Sequence, residues 1–201
     1  MKKLIYLLLL LASTLATAQV VVLKHTAYEI HFDAKLKEPL FTHYILTKQM
    51  LDGSFDRTSF KPDPLLKKDL QGSAKDYKNS AYDKGHLSPD ADFRYNETAQ
   101  LQAMYYTNCA PQNSYLNRGT WKSLENHCRD LAKIYDVEIW TGCIYDGSNE
   151  YLGKLIVPTF YWKLIQYNGV YEAYKMPNIN PDFKDFIKYK IDENELLKLI
   201  E

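Results

Sequence analysis

Between Thr120 and Cys143 the spacing of apolar residues changes period, and this change limits the fold more than any other feature of the chain. Trp121, Leu124, Cys128, Leu131 and Tyr135 recur at steps of three and four, which puts one apolar face on a helix over Thr120–Tyr135. Directly afterwards Val137, Ile139, Thr141 and Cys143 alternate, the pattern of a half-buried strand. A one-faced helix running into a one-faced strand needs a shared sheet to bury both. Other segments supply it. Tyr28, Ile30 and Phe32 alternate, Phe41–Thr47 reads as a second strand, and Tyr105–Cys109 as a brief third. Leu155–Tyr167 and Val170–Met176 flank Asn168-Gly169, a strong two-residue hairpin signal. Asn96 predicts a capped short helix through Met104. Asp192 with Glu195 predicts a capping box opening a last helix, Glu193–Ile200. Many strands with a few interspersed helices predict an α+β domain on a mixed or antiparallel sheet.

Composition narrows the function. The chain has 201 residues, with 25 Lys+Arg against 25 Asp+Glu. Bulk positive charge therefore cannot hold a polyanion, and any such site must be a local patch. A 46% hydrophobic content argues against disorder, and eight Gly with eight Pro exclude a fibrous chain. Residues 1–18 read as a cleaved secretory leader of bacterial type: Met1-Lys2-Lys3, an apolar run over Leu4–Leu15, and Ala16-Thr17-Ala18 before Gln19. Residues 19–201 then form a single domain. A periplasmic or secreted location follows as an expectation, with no stable membrane insertion after cleavage and with a monomer or homodimer both open. Cys109, Cys128 and Cys143 fit no zinc spacing; their apolar-patterned surroundings predict three buried or half-buried thiols, the alternative being one disulfide and an odd thiol. From Asp52 to Ala81 Gly and Pro are scattered among charges, which reads as a long irregular surface stretch.

Chemistry concentrates in two places. One is Tyr82-Asp83-Lys84-Gly85-His86-Leu87-Ser88-Pro89. The other runs from Thr107-Asn108-Cys109-Ala110-Pro111-Gln112 through Leu116-Asn117-Arg118-Gly119-Thr120-Trp121 to Leu124-Glu125 and Arg129. Asn117, Glu125 and Arg129 are separated by multiples of four, which places them along one rim of a helix beside its apolar face. Taken singly, each has an ordinary reading: a turn histidine, an N-cap asparagine, a Glu–Arg pair one turn apart.

Together the two segments resemble the DNA/RNA non-specific endonucleases, the ββα-metal nucleases that include the endonuclease G type. That family's D-R-G-H-L-x-P, S-N-x-x-P-Q and L-N-x-G-x-W-x-x-L-E-x-x-x-R are matched in order and gap. Here they read Asp83-x-Gly85-His86-Leu87-x-Pro89, Asn108-x-x-Pro111-Gln112, and Leu116-Asn117-x-Gly119-x-Trp121-x-x-Leu124-Glu125-x-x-x-Arg129. The likeness extends to His25-x-x-Tyr28, Tyr44-Ile45-Leu46-Thr47, Thr141-Gly142, Val157-Pro158 and Trp162-Lys163, nearly the whole mature chain. Lys84 departs from the usual Arg, keeping charge but losing the two-pronged fork. Thr107 replaces Ser, and the chain stops soon after its final helix begins.

The resemblance implies a ββα-metal motif that hydrolyses phosphodiester bonds in DNA and RNA with little sequence preference. It implies His86 as general base and Asn117 as the one direct ligand of Mg²⁺, with Mn²⁺ or another divalent ion able to substitute. Glu125 would act through water on the ion; Asp83 would do the same or anchor its loop. Arg57 and Lys84 would grip phosphate. Arg129 would stabilise the transition state or pair with Glu125, and Asn108 belongs to the catalytic set, more by positioning the His86 strand than by reacting. An unperturbed imidazole titrates near about 6.5, so turnover is expected to fail below about pH 6. Trp121 reads as core, and His25, His31, His43 and His127 as structural or surface residues. A catalytically silent nucleic-acid binder and a structural envelope protein are the competing classes. The intact set of His86, Asn117 and Glu125 speaks against both.

Overall fold

The computed structural model describes residues 20–200, so the expected leader over residues 1–18 lies outside the described residues. Seven strands form one antiparallel sheet: β1 (Val20–Lys24), β2 (Glu29–Asp33), β3 (Glu38–Leu46), β6 (Val137–Ile144), β9 (Phe160–Tyr167), β10 (Val170–Pro177) and β11 (Lys190–Ile191), adjacent in that order. Two small ribbons stand apart from it. One pairs β4 (Tyr82–His86) with β5 (Cys109–Asn113), the other β7 (Tyr151–Leu152) with β8 (Leu155–Ile156). The helices are α1 (Glu97–Ala103), α2 (Ser114–Leu116), α3 (Lys122–Ala132) and α4 (Asn194–Leu197). Among the described residues no helix is long and apolar enough to cross a membrane.

Strand alternation divides the core between the two faces of the sheet. Ile30, Tyr44, Ile139, Tyr161 and Ile165 face Trp121, Leu124 and Cys128 of the helical layer, with Ala99 and Ala103 of α1 closing the side. Phe41, Trp162, Leu164 and Ala173 face the other way, under Leu196 of α4. Trp121 is fully buried, as its place on the apolar helix stripe predicts. Cys109, Cys128 and Cys143 are free and buried, in agreement with the sequence reading.

Several boundaries differ from expectation. The main helix begins at Ser114 rather than Thr120, because the Asn113 carboxamide oxygen accepts from the backbone N–H of Tyr115 and Leu116 at 3.0 and 3.3 Å. Its second turn widens to a π turn over Asn117–Trp121 before α3 continues to Ala132. Tyr105–Cys109 is not a strand: Tyr105 makes an isolated bridge to Lys61, Tyr106–Asn108 forms a 3₁₀ turn, and the ribbon starts at Cys109. The expected long strand Leu155–Tyr167 breaks at Val157-Pro158, leaving β8 and β9. The 168–169 hairpin forms as predicted, with Asn168 and Gly169 both at positive φ, 46° and 75°, as a type I′ turn requires. The capping box does not close. Asp192 accepts from the Asn194 N–H, while Glu195 reaches out to Lys175 at 3.1 Å.

Candidate active site

The β4–β5 ribbon and the helix that follows it carry the site. Antiparallel register sets His86 opposite Cys109, Gly85 opposite Ala110 and Lys84 opposite Pro111. Gly85 is required by close packing: a Cβ there would sit 2.4 Å from the Gln112 side chain. The strand leaves β5 at Asn113 and enters the helix at once, which carries Asn117 beside β4. The Asn117 Nδ2 donates to Asp83 Oδ2 at 2.8 Å. Arg118 grips the same carboxylate with two bonds, Nε to Oδ2 at 2.8 Å and Nη2 to Oδ1 at 2.6 Å. Burial alone would raise the Asp83 pKa, but the hydrogen bonds from Arg118 and Asn117 outweigh it and hold the carboxyl below the usual range.

Beside this junction lies a cleft of about 380 Å³. His86, Asn117, Glu125 and Arg129 all line it, as do Arg57 and Lys84. The cleft therefore gathers six of the eight site residues named from sequence. A seventh, Asp83, sits on the adjoining pocket of about 390 Å³, which shares Arg57, Lys84, Asn117 and Arg118. Arg94, Arg118 and Lys122 join the first cleft, so six cationic side chains face two carboxylates, Asp90 and Glu125. This is the local basic patch that a chain of zero formal net charge needs in order to hold a polyanion.

His86 is buried, packs 4.9 Å from the Phe60 ring, and its Nε2 makes no hydrogen bond to protein. Burial drives the imidazole pKa from 6.5 down to about 4; the Asp90 charge opposes the shift and the Arg57 charge adds to it. The sequence expectation of protonation near pH 6 is thereby corrected: the ring stays neutral well below that. Burial acts on Glu125 in the opposite sense and lifts it from 4.5 to about 7, against the pull of Lys163 and Arg129. Arg57 stands 3.8 Å from Asp90 and lies over Phe60, with half its side chain exposed. Lys84 Nζ sits between the Phe60 and Tyr77 rings, at 5.5 and 5.1 Å.

One of the two alternatives for Arg129 does not form, and Asn108 takes a buried place behind the site. Arg129 does not pair with Glu125: its Nη1 donates to the buried Asp92 at 2.7 Å and its Nη2 to Asn126. Asp92 also accepts from the Tyr44 hydroxyl at 2.7 Å, which moors the helix rim to β3. Asn108 lies outside the lining of the cleft. It is fully buried; its oxygen accepts from the Ser88 N–H and its nitrogen donates to the Ser88 and Ala103 carbonyls, so it pins the chain after His86 and touches no part of the cleft. His25 pairs with buried Asp63, His43 with Glu138 and His127 with Glu172, all away from the cleft.

The sequence reading missed Arg118, Asp90, Asp92, Arg94 and Lys163. Asp90, Asp92 and Arg94 follow Pro89 immediately, so proximity to the motif was a usable signal. Lys163 had none. It is fully buried on the helix-facing side of β9, bonds Thr141 Oγ1, and lies 5.1 Å over the Trp121 ring, where burial lowers its pKa.

The donor set suits a hard divalent ion held by few protein atoms. Among the described residues no group of three His, Cys, Asp or Glu side chains is placed to hold a metal. Asn117 spends its amide nitrogen on Asp83, so its carbonyl oxygen is the atom left to ligate, and Glu125 stands in the same cleft. An oxygen-ligated ion that keeps most of its water fits this chemistry, whereas a structural zinc centre does not.

Comparison with known proteins places this geometry in a family. Residues 10–198 match the family described as DNA/RNA non-specific endonuclease. Nuclease C1 of Cunninghamella echinulata var. echinulata is 30% identical over 184 residues, covering 81% of this chain and 73% of its own. Mitochondrial endonuclease G of Homo sapiens is 28% identical over 176 residues, 78% of this chain and 59% of its own. Mitochondrial nuclease EXOG of Xenopus laevis is 31% identical over 115 residues, 56% of this chain and 32% of its own. This chain thus spans from a third to three quarters of the relatives' lengths. A crystal structure of an EndoG/EndoGI complex, concerned with EndoG inhibition, superposes with a TM-score of 0.78 at 26% identity, over 88% of this chain and 82% of that one. The relatives correct one expectation. The periplasmic or secreted location read from the leader is overturned, since the curated relatives whose names give a location are mitochondrial nucleases. The chain belongs to the DNA/RNA non-specific endonuclease family.

Proposed function

We propose that this chain is a divalent-cation-dependent endonuclease that hydrolyses phosphodiester bonds in DNA and RNA with little sequence preference. The observation that carries the reading is the cleft itself: a neutral buried histidine, an amide oxygen donor and six cations converge on one space. Arg57, Lys84 and Arg129 would bind non-bridging phosphate oxygens. Such contacts position a strand without reading bases, hence the tolerance for sequence. His86, kept neutral by burial, would accept the proton of the attacking water. Asp83 orients the Asn117 amide through Nδ2, and Arg118 keeps Asp83 ionised for that task. Asn117 would ligate the cation directly, with Glu125 and Asp83 holding its water shell. Mg²⁺ bound there would offset the charge that builds on the phosphate during hydrolysis, and Mn²⁺ or a similar ion would serve in its place. An uncharged ligand leaves the ion's full charge available to phosphate. The test is incubation of the purified protein with supercoiled plasmid and with RNA, across Mg²⁺, Mn²⁺ and Ca²⁺ and with chelator. Cleavage of both polymers that chelator stops is expected; cleavage that survives chelator, or none with any ion, overturns the reading.

A further inference from the structure

On the far side of Arg118 from the catalytic cleft lies a larger groove of about 610 Å³, which no role assigned so far uses. One wall is the first turns of the helix, with Ser114, Tyr115, Arg118 and Thr120; the other is the segment carrying Asn180 and Lys184. The walls are held together. Thr120 Oγ1 donates to the Phe183 carbonyl at 3.0 Å. Buried Asn178 donates to the Pro111 and Pro158 carbonyls at 2.9 Å each and accepts from the Asn113 N–H at 2.7 Å. The groove is thus part of the fold rather than a gap between loose loops.

Three features point to its occupant. Tyr115 is 69% exposed, two residues before Asn117, and presents a large aromatic side chain on the groove wall with no core to join. Lys184 brings positive charge to one wall and Arg118 lines the other, with its Nε and Nη2 held by Asp83 and its Nη1 outside that pair, and no carboxylate lines the groove. Arg118 also lines the catalytic cleft, so the two spaces adjoin. The groove's volume lies within the range of roughly 300–1,000 Å³ typical of sites for ligands of nucleotide size.

We propose that this groove is a subsite for a single-stranded stretch of nucleic acid flanking the cut phosphate, with a base stacked on Tyr115 and a phosphate held between Arg118 and Lys184. The inference rests on the nuclease reading above. A base can stack on a side chain only when it is free of its own duplex stack, so the subsite favours single strands or melted ends.

The test is equilibrium binding of a fluorescent twelve-nucleotide single strand in chelator, so that no cutting occurs, with a duplex of the same length alongside. Stacking on an aromatic contributes about 1–3 kcal/mol per base, so Tyr115→Ala should weaken single-strand binding by about 5-fold to 150-fold. Tyr115→Phe should retain it, and duplex binding should change little in either variant. Lys184→Ala should weaken binding and reduce the salt dependence by about one counterion. Both side chains are exposed, so the fold should tolerate every variant. Equal single-strand binding by Tyr115→Ala and wild type, or an equal loss on duplex, overturns the subsite. Plasmid cutting by the wild type with Mg²⁺ reports separately on the nuclease reading, so the two can fail independently.

Discussion

The burial of His86 links catalysis to acid stability, and the link has a size. In the unfolded chain the imidazole titrates at 6.5; in the folded protein burial lowers this to about 4. Below pH 6.5 the unfolded state therefore binds a proton that the folded state refuses. Stability conferred by this residue is complete above pH 6.5 and falls away as pH drops toward 4. Each pH unit in that window costs about 1.4 kcal/mol, so the loss is about 2 kcal/mol by pH 5 and about 3 kcal/mol by pH 4. His86→Gln removes the titration while keeping a polar side chain of similar reach. Urea unfolding of wild type and His86→Gln at pH 8 and pH 5 isolates the effect, because every other carboxylate and histidine is common to both. The variant should gain about 2 kcal/mol relative to wild type on moving from pH 8 to pH 5. An unchanged difference between the two proteins at both pH values would refute the claim that burial lowers the His86 pKa in the folded protein.

Further outcomes follow from named contacts. Asn117→Ala should lose activity with the fold intact, whereas Asn117→Asp should keep part of it, since aspartate retains the oxygen but cancels some of the cation's charge; plasmid nicking against Mg²⁺ concentration, with circular dichroism as the fold control, measures both. Asp92→Ala strands the Arg129 guanidinium and the Tyr44 hydroxyl, both of which Asp92 receives at 2.7 Å. Loss of one partner from a buried pair costs about 3–5 kcal/mol, so the urea midpoint should fall sharply. Glu38 is buried, and burial holds its carboxyl pKa well above 4.5. Its folded form must stay protonated where the unfolded form ionises, so Glu38→Gln should raise stability at pH 7.5 and lose that advantage at pH 4, read by thermal unfolding at both.

What the sequence disclosed, and what it withheld, divides by range. The 168–169 hairpin and the Asn96 cap were legible because both depend on residues a few positions apart; Asn96 accepts from the Ala99 N–H at 3.0 Å. The helix face through Trp121, Leu124 and Cys128 was legible for the same reason, although its start was not, since the cap is Asn113, upstream of the apolar pattern that opens at Thr120. Tyr105–Cys109 misled because its apolar pattern serves a turn packed under the ribbon, not a paired strand. His86, Asn117, Glu125 and Arg129 were recoverable from motif spacing, yet the carboxylate that holds Arg129 is Asp92 rather than Glu125, the partner helical spacing offers. Asp92 is thirty-seven positions away along the chain, and no helical spacing points to it. Arg118 holding Asp83, and Lys163 buried beneath Trp121, likewise depend on elements that meet only in the folded chain.

The central claim is that His86 accepts the proton of the attacking water in a cation-dependent cut. The direct measurement is the single-turnover rate of plasmid nicking by wild type and His86→Ala, at pH 7.5 and saturating Mg²⁺, with folding monitored by near-ultraviolet circular dichroism. A general base contributes at least roughly a hundredfold, so the variant should be slower by that factor or more, with an unchanged spectrum and with both rates abolished by chelator. A folded His86→Ala protein that cuts within a few-fold of wild type would contradict the account.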